Sequence, residues 1–200
     1  MSDAYTANEV AFVLGETVKA VKKTLDTGPV ETTLAEKAGP RTRFVKRKDL
    51  FYLLANKTLQ EELTAKARRE LYQVLREVNV ERVDTVRLGS LSVHLQPLRA
   101  EIDRREHALE ALHKGIKTSS GGEAVIAGSG VEAHRIAALL KGGMSPSEIQ
   151  EDYPSLTLEQ IDAARAYAEV YPKPGRPYPE RTLKRALLSS GLEELDDFME

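Results

Sequence analysis

Three short stretches constrain this chain most: "TANE" at Thr6–Glu9, "SPSE" at Ser145–Glu148 and "TLEQ" at Thr157–Gln160. Each sets a hydroxyl residue three places ahead of Glu or Gln. The hydroxyl accepts from the fourth residue's backbone N–H, and the longer side chain reaches back to the first N–H, so a helix starts at each. Pro146 sits at the first helical position of the second box, where its missing N–H sacrifices no bond. These starts predict a chain that is mainly α with small β elements.

After the first box, Val10, Val13 and Leu14 form an apolar stripe, and Gly15 can end the helix in the left-handed conformation. A second helix is expected from Thr17 to Asp26, with Val18, Val21 and Leu25 inward and Lys19, Lys22 and Lys23 outward. Two short helices joined this tightly make a helix-turn-helix. Two Gly-Pro pairs and the β-prone stretch Arg41–Val45 follow, which read as a wing-like hairpin. A helix is expected from about Lys48 to Ala55, and a long one from Thr58 to Val78 with Lys66, Arg68 and Arg69 outward.

Thr85 to Leu95 alternates apolar and polar residues around Gly89-Ser90, as a bent strand or two short ones would. A helix opened by Pro97 carries Leu98, Ile102, Leu109, Leu112 and Ile116 at helical spacing, and "KTSSGGEA" reads as a flexible joint. Beyond Ala124 the expectation is a hairpin turning at Gly128-Ser129-Gly130, a helix from His134 to Lys141, and the two capped helices, the last to about Val170. The implied organisation is a winged helix-turn-helix domain with its long helix (1–78), a strand–helix connector suited to dimerisation (79–123), a second helix-turn-helix domain (124–171) and an extended tail (172–200).

Charge is unevenly spread along the chain. Nine basic residues oppose three acidic ones between Thr17 and Lys48, whereas three basic oppose six acidic between His134 and Tyr171. Phosphates need cations along a helix and wing, so Lys19, Lys22, Lys23, Arg41, Arg43, Lys46 and Arg47 are the candidate contacts to double-stranded DNA. A solvated, solubilising surface is the alternative. The second helix-turn-helix presents Glu159, Asp162 and Glu169 on its last helix and is expected to pack or dimerise rather than read bases.

The 200 residues contain no cysteine, which rules out disulfides, thiolate zinc sites and cysteine nucleophiles. The chain shows no run long enough for a membrane span and no signal-peptide pattern, so a cytoplasmic protein without membrane partners is expected. No phosphate-cradling glycine loop, zinc-protease motif or nucleophile elbow is present. Glu106, Glu110 and His113 share a helix face, but a salt-bridged surface explains them better than a metal site. No enzyme, metal or cofactor is expected.

The tail begins "YPKPGRPYPERTLKRALL". Pro172, Pro174, Pro177 and Pro179 favour an extended form, and Arg176, Arg181, Lys184 and Arg185 make its first part basic. Leu187, Leu192 and Phe198 lie on short amphipathic stretches beyond. An extended arm leading into such stretches suits wrapping a partner; a tail packed on its own body is the alternative.

The segment from Ala124 to Pro177 resembles a small bacterial domain of unknown function with the pattern G-T-R-[IV]-P-V, E-I, D-Y-P-x-L. Ser145, Glu148-Ile149, Asp152-Tyr153-Pro154 and Leu156 carry the match. The first element departs from it: Gly128-Ser129-Gly130-Val131-Glu132-Ala133 lacks the arginine and the proline. Together with an N-terminal half that looks MerR-like, the chain resembles VapB-type antitoxins of type II toxin–antitoxin pairs. That resemblance implies autorepression through operator DNA, and a homodimer or a larger toxin–antitoxin hetero-oligomer. It also implies inhibition of a PIN-like ribonuclease by Arg176, Tyr178, Arg181, Lys184, Arg185, Leu187, Leu192 and Phe198, with one basic residue entering the toxin's carboxylate cluster. A MerR-like transcription regulator without a toxin is the rival reading.

Overall fold

The computed structural model describes residues 4–35, 42–173 and 175–180. Among them are eight helices and seven short strands, all paired antiparallel, so the mainly α expectation with small β elements holds. The chain divides into two units, Met1–Glu110 and Ala111–Glu200.

In the first unit β1 (Ala4–Thr6) leads into α1 (Ala7–Leu14) through the Thr6/Glu9 capping box. Gly15 takes φ 60°, and its N–H returns to Ala11 and Phe12, which turns the chain within three residues into α2 (Val18–Thr27), capped by Thr17. Lys57 donates to the carbonyls of Leu14 and Gly15, a cation placed at the negative end of α1. β2 (Thr33–Ala35) and β3 (Thr42–Lys46) pair antiparallel as the expected wing, and β1 adds on the far side of β3, giving the order β1-β3-β2. Tyr5 lies opposite Val45, and Phe44 opposite both Thr6 and Thr33.

α3 (Arg47–Thr58) is buried along its whole middle, where the apolar run Leu50 to Ala55 leaves no polar face and Asp49 is buried with it. The helix expected from Thr58 to Val78 is shorter: α4 runs Ala65–Glu77. The side chain of Thr64 accepts from the N–H of Ala67 and starts the helix there, leaving Leu59 and Leu63 in the intervening turns. β4 (Thr85–Leu88) and β5 (Leu91–His94) form a hairpin through Gly89 at φ 59°. α5 (Leu95–Gly115) follows, and the division between units falls within it.

In the second unit Ile116 is not helical. It opens β6 (Ile116–Thr118), which pairs with β7 (Ala124–Ile126). Gly115 ends the helix and the β-branched residue after it joins a ladder. "SSGG" is thereby a hydrogen-bonded turn, with the Ser119 N–H donating to the Glu123 carbonyl at 2.8 Å, not a loose joint. The turn at Gly128-Ser129-Gly130 forms but closes only a single bridge, Val125 to Glu132. α6 (Ala133–Lys141), α7 (Pro146–Asp152) and α8 (Leu158–Val170) then enclose a core of Ile116, Ile126, Ile136, Leu139, Met144, Ile149, Leu156 and Ile161. Both expected capping boxes, Ser145/Glu148 and Thr157/Gln160, are made. No described helix is long and apolar enough to cross a membrane.

Candidate functional sites

α2 carries Lys19, Lys22 and Lys23 at positions i, i+3 and i+4, one exposed face opposite the buried Val21 and Leu25. The only carboxylate on α2, Asp26, is taken by Arg43 from β3. That pairing ties the wing to the helix and leaves the three lysines without an ion pair among the described residues. Lys46, where β3 meets α3, is exposed as well. The result is a set of exposed cations on the second of two tightly joined helices and at the end of the strand that Arg43 ties to it. Arg41 lies outside the described residues.

Arg47 leaves this set. Its Nε donates to both oxygens of Glu106 at 3.0 Å, its Nη2 to Asp103 at 2.5 Å and its Nη1 to Glu81. Its side chain is only 16% exposed. Three carboxylates hold it inside the fold, where it cannot reach phosphate. Glu106 is 2% exposed and also accepts from the Tyr5 hydroxyl at 2.5 Å. Burial, with Glu106 beside it, pushes the Tyr5 pKa well up, so that hydroxyl remains a donor. Glu106, the first residue of the Glu106/Glu110/His113 helix face, is therefore engaged by Arg47 and Tyr5. Nothing near Arg47 in the sequence signals this role, because its partners lie 34 to 59 residues away.

In the second unit the proline strip begins at a ring cluster. Tyr171 packs tilted against Tyr167 at 4.9 Å and edge-on to His113 at 5.2 Å, its hydroxyl meets His113 Nε2, and its carbonyl lies 2.7 Å from His134 Nε2. The strip then turns back along α6. Lys173 sits 3.5 Å from the centre of the Tyr178 ring, and the Tyr178 hydroxyl donates to Glu132. Arg135 approaches the same ring, and Lys141 pairs with Glu180 at 3.1 Å. Of the expected toxin contacts, Tyr178 is thus half-buried against its own domain, while Arg176 is exposed. Arg181, Lys184, Arg185, Leu187, Leu192 and Phe198 lie outside the described residues. Sequence reading missed Glu132, Arg135 and Lys173, which anchor the strip.

No curated protein matches the chain in sequence. Among solved structures it is similar to the crystal structure of Rv2018 from Mycobacterium tuberculosis, at 13% identity over 80% of this chain and 96% of that one. The TM-score of 0.34 is too low to transfer topology. Residues 118–168, the segment that holds β7 and all three helices of the second core except the end of α8, match the family model described as protein of unknown function (DUF433).

Proposed function

We propose that this chain is a DNA-binding antitoxin: its N-terminal unit represses its own operon, and its C-terminal tail neutralises a PIN-like ribonuclease. The observation that carries the DNA half is the lysine face of α2. Three cations at helical spacing, left unpaired by the capture of Asp26, stand on the helix that a helix-turn-helix presents to the major groove.

The toxin half rests on the resemblance of the second domain and on the geometry of the strip that leads into the tail. Anchored through Tyr171, Lys173 and Tyr178, the strip delivers the chain beyond Glu180 from a fixed point on α6. Residues past that point are basic, then amphipathic and acidic, a composition suited to an acidic nuclease pocket and its apolar rim. The protein acts by binding and performs no catalysis of its own.

The two halves are tested separately in the full chain. Lys22→Glu/Lys23→Glu is expected to weaken binding to a duplex of the protein's own promoter at least tenfold while leaving ribonuclease inhibition intact. Arg181→Glu/Arg185→Glu is expected to do the reverse. Fluorescence anisotropy with the duplex and a nuclease assay with the co-expressed neighbouring gene product read the two outcomes. Equal loss of both activities in either variant would sink the two-ended model.

A further inference from the structure

The second unit carries an apolar groove of 730 Å³ between α6, the end of α8 and the proline strip. Ala137 and Ala138 of α6, Met144 just beyond it, Ala168 of α8, and Pro172 and Pro177 of the strip give it an apolar lining. Lys141, Arg165 and Lys173 also line it, against Glu169 alone among carboxylates. Each cation has a partner outside the groove, but none is held tightly. Lys141–Glu180 and Arg165–Asp162 are exposed pairs, which are worth little and exchange for a better-placed acid. Lys173–Glu132, at 3.9 Å, is at the limit of contact.

The path of the chain narrows the occupant. Gly142 has an ordinary backbone, φ −72°, yet a Cβ there would collide with the carbonyl of Glu180. The strip is thus laid directly on the end of α6, and the chain beyond Glu180 sets out beside Lys141, on the groove's own edge. Twenty residues remain, all beyond the described ones. The nearer ones include Arg181, Lys184 and Arg185, which the cations of the groove repel. The far end is its chemical complement: Leu192, Leu195, Phe198 and Met199 recur at helical spacing among five acidic residues and no basic one. Reach is no obstacle. The chain from Glu180 to Leu192 extends to about 40 Å, whereas α6, with nine residues, is about 14 Å long.

We propose that the acidic, apolar end of the tail, Leu192 to Met199, docks in this groove of its own domain when no partner holds it. An apolar stripe laid between small side chains, with acids meeting the cations at the edge, is a known way for a short segment to bind a groove. The tether supplies an effective concentration of about 1 mM, which favours the chain's own tail over that of a second copy. Docking covers Leu192 and Phe198, two residues expected to touch the toxin, so a toxin competes for them and its apparent affinity falls with the undocked fraction. Only this consequence rests on the antitoxin reading, and the docking itself is tested without a toxin.

The chain contains no tryptophan, so Phe198→Trp and, separately, Met199→Trp place a single indole reporter in the full-length protein. Its quenching by acrylamide is expected to be roughly threefold weaker than in a free peptide of residues 190–200 with the same tryptophan, as for a tail docked about two-thirds of the time. The protection should persist on dilution. Arg165→Glu, an exposed position on α8, should restore peptide-like quenching with an unchanged far-UV circular dichroism spectrum. Ala138→Gln, which fills part of the groove, should do the same. The proposal fails if neither tryptophan is protected, or if protection survives both groove substitutions, which would mean that the tail packs elsewhere. Protection lost on dilution would also overturn it, since the occupant would then be the tail of a second copy.

Discussion

Arg47 shows how far a single side chain's role can depart from its neighbourhood. It stands in the run Lys46-Arg47-Lys48, which reads as a phosphate-binding patch, yet it is the one member turned inward. Removing Glu106 would leave the Arg47 Nε and the Tyr5 hydroxyl buried without their acceptor, so Glu106→Ala is expected to cost about 3 kcal/mol in urea unfolding. Arg47→Met/Glu106→Leu, which removes both charges together, should cost distinctly less than that. Asp49, 3% exposed on α3, gives a pH signature. Burial pushes its carboxyl pKa above the usual range, against the pull of Lys48 and Lys46. The fold thus favours the protonated form, and the stability this lends is present at low pH and lost as pH rises through the raised value. Asp49→Asn stays neutral throughout, so its stability relative to the natural protein is expected to increase from about pH 3 to about pH 7 in paired urea curves. Neither buried acid was legible beforehand: Asp49 and Glu106 look like ordinary solvated members of charged helices, and only distant partners make them otherwise.

At the scale of elements the sequence was far more readable, because capping is local chemistry. Thr6, Ser145 and Thr157 each accept from the N–H three residues on, and the partnering Glu9, Glu148 and Gln160 return the bond. Ser145→Ala removes one of these bonds from α7, a helix of seven residues with little else to hold its start. A loss of about 1 kcal/mol in thermal unfolding is expected, and Ser145→Asp should restore most of it. The misread elements have two causes, one local and one distant. Leu59 and Leu63 match the periodicity of α4 but belong to turns, because the Thr64 cap has no acidic partner to advertise it. Ile116 fits the stripe of α5 but pairs with Ile126, a contact that no local pattern encodes. Helix starts follow from four residues, whereas strand partners depend on residues elsewhere in the chain.

For the molecule as a whole, the candidate DNA face is a matter of count. If Lys19, Lys22, Lys23 and Lys46 each neutralise one phosphate, the logarithm of the binding constant should fall against the logarithm of salt with a slope of about −3.6 per protomer. Lys22→Glu/Lys23→Glu should reduce that slope in magnitude by about 1.8 or more, measured across a salt series. A slope unchanged by the double substitution would place the contacts elsewhere. The positions of these lysines were legible from their helical spacing, but the capture of Asp26 by Arg43 that keeps them free was not, since it joins helix to wing across 17 residues. The Tyr5–Glu106 bond reaches further, across 101 residues. A ribosome releases Tyr5 101 residues before Glu106, so the strand that opens the N-terminal unit waits for the helix that completes it. Order of synthesis therefore sets when this domain can first grip anything: a nascent chain that has not yet exposed α5 holds every lysine of the candidate DNA face, but not the frame that aims them.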